Sequence, residues 1–209
     1  MAGGAGLLLL QSYAEQVEQE TGVRVHVYGF DTGHGLPKLL DDYRDQPENW
    51  SAGDFPIDLD KLRPHLLDRT KLVLGDVRDT VPRFIRNELH APVGFVSIDL
   101  DMYSSTRDAL VLLSHKERRV LKRVILYLDD VDSLIYHRFA GELLAIEEFN
   151  EMNQDVKIDH WRGIRNNRPF PEHSWLNKIY VAYDLTMMGR QESRPQKRQI
   201  LNINNSENL

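Results

Sequence analysis

Val93-Gly94-Phe95-Val96-Ser97-Ile98-Asp99-Leu100-Asp101-Met102-Tyr103-Ser104-Ser105-Thr106 decides how the rest of the chain is read. Val93 to Leu100 is almost uniformly apolar until it reaches Asp99, the pattern of a strand buried on both faces of a parallel sheet. Ser105 to Leu113 follows with a helical pattern. Val120 to Leu128 repeats the design: an apolar strand that runs into Asp129-Asp130, with the amphipathic stretch Gly141 to Met152 behind it. Two buried strands, each ending in acids, therefore stand one crossover apart.

In an extended segment, residues two apart point to the same side, and adjacent strands lie about 4.8 Å apart. Asp99, Asp101, Asp129 and Asp130 can thus converge on one small volume. Carboxylates crowded in this way raise one another's pKa or recruit a cation, and an all-oxygen set favours Mg²⁺, Ca²⁺ or Mn²⁺. Taken singly, each of these acids would as readily cap a helix or face water. Two acidic pairs at the ends of consecutive strands are what point to a shared metal site.

Upstream, Leu7 to Glu20 carries apolar residues at helical spacing and ends at Thr21-Gly22. Val23 to Phe30 reads as a strand that ends at Asp31, where a carboxylate of a nucleotide-binding fold can accept hydrogen bonds from ribose hydroxyls. Residues 32 to 58 are rich in Gly, Pro and acids and include Trp50, a composition that suits a surface excursion beside a site. Leu59 to Leu67 is expected as a helix, Lys71 to Leu74 as a strand ending at Gly75-Asp76, and Thr80 to Leu89 as a helix. Ala2-Gly3-Gly4-Ala5-Gly6, placed before the first helix, can bring backbone N–H groups close to a cofactor. Val156 to Trp161 and Lys178 to Asp184 are the final strands, separated by a polar loop. The alternation implies an α/β doubly wound sheet with ligands beyond the carboxyl ends of its strands.

Composition narrows the function classes. A chain of 209 residues with 41% hydrophobic and 28% charged residues has the make-up of one soluble domain, expected over residues 1–188, with a polar, disordered tail over 189–209. A net charge of -6 argues against a nucleic-acid partner, and Lys116 to Arg123 reads as a solvated helix face. The absence of cysteine removes disulfides, thiolate metal sites and a cysteine nucleophile. Gly-x-Ser-x-Gly is also missing, which disfavours a serine hydrolase. No stretch has the length of a signal core or membrane span, so a cytoplasmic location is the default. The eight histidines, His34 among them, and the three tryptophans are assigned surface, packing or lid roles.

In order, these pieces resemble the macrocin O-methyltransferase family of class I methyltransferases, which methylate sugar hydroxyls of antibiotics. The matching segments are Val27-Tyr28-Gly29-Phe30-Asp31 with Gly35-Leu36-Pro37; Leu74-Gly75-Asp76 with Asp79-Thr80-Val81-Pro82; Ile98-Asp99-Leu100-Asp101-Met102-Tyr103-Ser104-Ser105-Thr106; Leu128-Asp129-Asp130; and Gly141-Glu142 with Glu148-Phe149. The resemblance implies that Asp99, Asp129 and Asp130 hold Mg²⁺ and that Asp101 is the general base, Asp99 and Asp101 being open to exchange of roles. It also implies S-adenosylmethionine as methyl donor, with Gly3, Gly4 and Gly6 near it, Phe30 and Asp31 at its ribose, and Gly75, Asp76 and Val77 at its adenine. The acceptor would be a small molecule bearing hydroxyl groups. Oligomeric state is left open, a homo-oligomer included.

A methyltransferase of this class has a strand ahead of its Gly-rich loop, whereas this sequence begins inside that loop. The reading therefore expects an N-terminally truncated sheet whose first strand is missing, with unpaired edges on the strands ending at Asp31 and Asp99. Two alternatives stand beside the methyltransferase: a metal-dependent glycosyltransferase using Asp99-x-Asp101, and a non-catalytic scaffold of the same fold.

Overall fold

The computed structural model describes residues 2–38, 41–166 and 168–189. In chain order its elements are α1 (Ala5–Thr21), β1 (Val27–Asp31), α2 (Leu59–Leu62), β2 (Thr70–Leu74), α3 (Val77–Asn87), β3 (Val93–Ile98), α4 (Tyr103–Ala109), α5 (Val111–Ser114), β4 (Val120–Leu128), α6 (Gly141–Met152), β5 (Val156–His160) and β6 (Ile179–Asp184). Short 3-10 turns precede α1 and β6, follow α2, and interrupt the long loop at Tyr43–Asp45. No helix among the described residues is long and apolar enough to cross a membrane. Apart from Gly189, the tail expected beyond residue 188 lies outside the described residues.

The strands form two sheets. β1 pairs in parallel with β2, and a four-stranded sheet runs β3-β4-β6-β5, with β3 and β4 parallel and β6 antiparallel to both of its neighbours. The break falls between β1 and β3, where the sequence reading places a missing strand. Helix α3 spans it: Phe84 stacks edge-on against Tyr28 and Phe30 of β1, with centroids 4.6 and 5.2 Å away, while Val93 and Val96 of β3 pack on the same cluster.

The break corrects the expectation that Val93 to Leu100 is buried on both faces. In β3, Phe95 is 45% exposed and Ser97 is exposed, because one edge of the strand has no neighbour to carry a covering layer. The main core lies on the other side, where Ile98, Val124, Leu126 and Leu128 pack against Leu110, Leu113, Ala145, Ile146 and Phe149.

Other boundaries shift for local reasons. The first strand begins at Val27 rather than Val23, and Leu59 to Leu67 shortens to α2 plus a 3-10 turn in which Pro64 lies near the start. α3 begins at Val77, three residues before the expected Thr80, because the Asp76 side chain caps it by accepting the Arg78 N–H at 2.8 Å. The helix expected over Ser105 to Leu113 divides into α4 and α5 around Leu110.

Candidate functional site

The acids meet at the carboxyl ends of β3 and β4. Asp129 N–H donates to the Ile98 carbonyl at 3.0 Å, the last rung before the two chains part. β3 ends at Ile98, so Asp101 does not reach the site by strand alternation. The chain turns sharply instead: Met102 N–H reaches the Leu100 carbonyl at 2.5 Å and Asp101 takes φ 59°. Aspartate tolerates this left-handed conformation better than most residues. The turn lets Asp101 N–H donate to Oδ2 of Asp130 at 3.0 Å, while Oδ1 of Asp130 accepts the Tyr136 hydroxyl at 2.6 Å.

Carboxylate oxygens of Asp99, Asp101 and Asp130 lie within 4.8 Å of one another. Burial raises all three above the ordinary carboxylate range. For Asp101, burial followed by the charges of Asp130 and Asp99 pushes the pKa to about 7. For Asp99 burial comes first, with Asp129 and Asp31 adding to it. For Asp130 burial is partly offset by the Tyr136 hydrogen bond. An all-carboxylate trio crowded this closely fits a hard divalent cation in donor type, and such a cation would relieve the repulsion among the three.

Asp129 is placed differently from its neighbours. Its Oδ1 accepts from Lys178 Nζ at 2.7 Å and from the Tyr127 hydroxyl at 3.1 Å. Lys178 went unnoticed in the sequence, where it reads only as the first residue of the last strand. Its partner is 49 positions away.

The cleft above the acids, of about 350 Å³, is walled by Asp31, Thr32, Gly35, Leu36, Pro37, Trp50, Asp54, Phe55 and Tyr136 as well as the four aspartates. Loop 32–58 thus stands beside the site, as its composition suggested, although Leu39 and Leu40 lie outside the described residues. Its far half is pinned down. Asp45, only 1% exposed, accepts the Ser104 N–H at 2.7 Å and so caps α4 from 59 positions away. Arg44 grips Asp42 and donates to the Tyr103 hydroxyl at 3.0 Å, and that hydroxyl donates to Glu148 of α6. Gln46 Nε2 donates to the Ile135 carbonyl at 2.8 Å. Trp50 and Phe55 face each other edge-on at 6.1 Å.

The residues read as cofactor contacts spread over the neighbouring sheet end. Asp31 lines the cleft and its Oδ1 accepts the Gly33 N–H at 2.7 Å. Gly75 lies beside it, donating its N–H to the Asp31 carbonyl at 2.9 Å. The Asp76 carboxylate is engaged as the α3 cap, and Val77 and Phe30 pack in the cluster around Phe84. Gly4 is close-packed: a Cβ there would stand 2.7 Å from Leu62 Cδ1, whereas one at Gly3 or Gly6 would meet nothing within 4 Å. Of this set, Asp31 alone is among the residues that wall the cleft.

A crystal structure of the calicheamicin methyltransferase CalS11 superposes on this chain with a TM-score of 0.56 and 21% identity, covering 87% of this chain and 68% of that one. The chain has the fold of a Rossmann-like methyltransferase. An apo structure of CalS11, named as a TDP-rhamnose 3'-O-methyltransferase in calicheamicin biosynthesis, gives a TM-score of 0.45 at 21% identity over 83% of this chain and 66% of that one, too loose a match to carry an argument. No protein-family model matches the chain, and no curated protein matches it significantly.

Proposed function

We propose that this chain transfers a methyl group from S-adenosylmethionine to a hydroxyl of a sugar or another vicinal diol, with Mg²⁺ held by the acids at the ends of β3 and β4. The observation that carries the reading is the meeting of Asp99, Asp101 and Asp130 within 4.8 Å, in a fold of the methyltransferase type. The name of CalS11 as a calicheamicin methyltransferase supports methyl transfer to a small natural product. So does the resemblance of the Asp99 to Thr106 segment to the macrocin O-methyltransferases. A glycosyltransferase built on Asp99-x-Asp101 alone would leave Asp130, drawn into the same cluster, without a task.

Bound Mg²⁺ would lower the pKa of a coordinated substrate hydroxyl. Asp99 and Asp130 would be its ligands, with Asp129 a further candidate through Oδ2, since its bonds from Lys178 and Tyr127 both end on Oδ1. Asp101, with a pKa of about 7, is matched to take the hydroxyl proton near neutral pH. Asp31, its carboxylate oriented by the Gly33 N–H, would take ribose hydroxyls beside Gly75, while Gly3, Gly4 and Gly6 are assigned to the cofactor by the family resemblance. Asp76 and Val77 contribute backbone surface toward the adenine. Trp50, Phe55 and Tyr136 give the acceptor an aromatic wall against which a sugar ring would lie.

Calorimetric titration with S-adenosylmethionine and with a nucleotide sugar, each with and without Mg²⁺, tests the assignment. Binding of the sulfonium cofactor is expected, together with a Mg²⁺ heat that D130N removes. In a methyl-transfer assay D101N should lower kcat by roughly 100-fold or more. Undiminished turnover in a D129N/D130N double variant would overturn the metal assignment.

A further inference from the structure

Glu142 has the burial and the contacts of a structural keystone for this site, yet it touches no solvent. It occupies the first turn of α6 and is 0% exposed. Its two carboxylate oxygens accept from two different strand ends: Oε1 from the Leu100 N–H at 3.4 Å and Oε2 from the Asp130 N–H at 3.3 Å. Leu100 stands between Asp99 and Asp101, and the Asp130 N–H stands between the two acids of the other pair. Past the Asp129-to-Ile98 rung the β3–β4 ladder ends, and these two donors would otherwise be stranded between diverging chains.

The seat of α6 is equally close-fitting. Gly141 takes φ 59°, and a Cβ on it would stand 3.3 Å from Gln46 Oε1 and 3.6 Å from the Asp101 carbonyl oxygen. The helix start therefore comes directly against the Asp101 turn. Only a side chain with two acceptor oxygens can serve both N–H groups at once, and the neighbouring residues of α6 that face the core, Ala145, Ile146 and Phe149, are apolar.

We propose that Glu142 is the positioning residue of the acid cluster, clamping the Leu100 and Asp130 backbones so that Asp99, Asp101 and Asp130 meet around one cation site. The proposal rests on the metal reading above. A glutamine at 142 keeps one acceptor oxygen but turns an NH₂ toward the second N–H, so one strand end is released. Residues that hold ligands in place, without being ligands, typically set metal affinity by 10- to 100-fold.

The test is Mg²⁺ titration by calorimetry of wild type, E142Q, E142D and I146A, the last trimming the apolar packing of the same helix one turn on and leaving the hydrogen bonds to the Leu100 and Asp130 N–H groups in place. E142Q should bind Mg²⁺ about 10-fold or more weakly, E142D should fall between it and wild type, and I146A should bind as wild type does even when its melting temperature drops as far. Wild-type affinity in a folded E142Q chain, or an equal loss in I146A, overturns the proposal. Amide hydrogen exchange on the unaltered chain decides the matter independently of any variant. Slow exchange at Leu100 and Asp130 is expected, and exchange at the rate of a free loop would refute the clamp. If wild type binds no Mg²⁺ at all, the metal reading fails, and the exchange rates still judge whether Glu142 holds the two backbones.

Discussion

Removing one carboxylate from the cluster should strengthen the metal-free protein and weaken the metal-bound one. Asp99 is the suitable position, being the most open of the three to solvent although its carboxyl is partly desolvated, and lying within 4.8 Å of both Asp101 and Asp130. Two unit charges at that separation repel by roughly 1 kcal/mol in a water-like medium and about 3 kcal/mol at an effective dielectric of 20. Exposure of Asp99 favours the lower figure, and Asp101 with a pKa of about 7 carries only part of a charge at neutral pH. D99N should therefore stabilise the metal-free chain by about 1 to 2 kcal/mol, or roughly 2–8 °C in melting temperature for a domain of this size. In wild type, Mg²⁺ at about 100 times its dissociation constant should add about 2.7 kcal/mol, and D99N should lose most of that gain. Scanning calorimetry in EDTA and in millimolar Mg²⁺ would show the curves crossing: the variant melts higher without metal, and wild type melts higher with it. The sign of the pH dependence follows from Asp101. Its folded pKa is raised, so the folded state is favoured at low pH and loses stability as pH rises toward and through about 7. The advantage of D99N in EDTA must accordingly grow between about pH 5 and 8. A variant that melts below wild type in EDTA and keeps its Mg²⁺ shift would refute the crowding argument.

Mg²⁺ affinity itself should climb with pH until Asp101 has ionised, since burial raises Asp99, Asp101 and Asp130 alike; a titration series that is flat from pH 5 to 8 would show that protons do not compete for the site. Y136F removes the 2.6 Å hydrogen bond to Asp130 and should cost about 1 to 2 kcal/mol in urea unfolding, with metal binding shifted to higher pH. K178M frees Oδ1 of Asp129 of its cation and should tighten Mg²⁺ binding by several-fold at low salt, an effect that calorimetry in added salt should see shrink. R44A cuts the link from the loop to Tyr103 and Glu148, so limited proteolysis should open the chain near residues 41–55 sooner than in wild type.

β4 and α6 follow the sequence reading to the residue because their signals are local: an unbroken apolar run in one, helical spacing behind a glycine in the other. The acids were legible for the same reason, each pair standing directly at the end of such a run. What escaped was everything fixed by distant partners. Asp45 reads as one more polar loop residue until Ser104 N–H is found 59 positions away, and Lys178 has no local mark that assigns it to Asp129. Glu142 could be placed on α6 from its spacing, but its complete burial contradicts the usual exposure of glutamate and follows only from the meeting of two strand ends. Apolarity misled for β3, since Phe95 looks like a core residue in any window that does not know which edge the sheet leaves uncovered.

The break in the sheet bears unequally on the two halves of the site. Asp99, Asp101, Asp129 and Asp130 all belong to the β3–β4 pair, and that pair is tied by its own ladder, by the 3.3 and 3.4 Å bonds to Glu142, and by a core shared with α6. None of these ties crosses the gap. Asp31 and Gly75 belong to the β1–β2 pair, which reaches the rest of the molecule through α3 and through the loop that Asp45 and Arg44 fasten to α4. Stability is local in this sense: a region held by fewer buried contacts opens at lower free energy than the core. Hydrogen exchange should therefore separate the pairs, with the amides of β4 exchanging at the slow, global rate and those of β1 exchanging sooner. Equal protection would mean that α3 and the fastened loop couple the two sheets as firmly as a shared strand would, and the proposed cation and cofactor halves of the site would then rise and fall together.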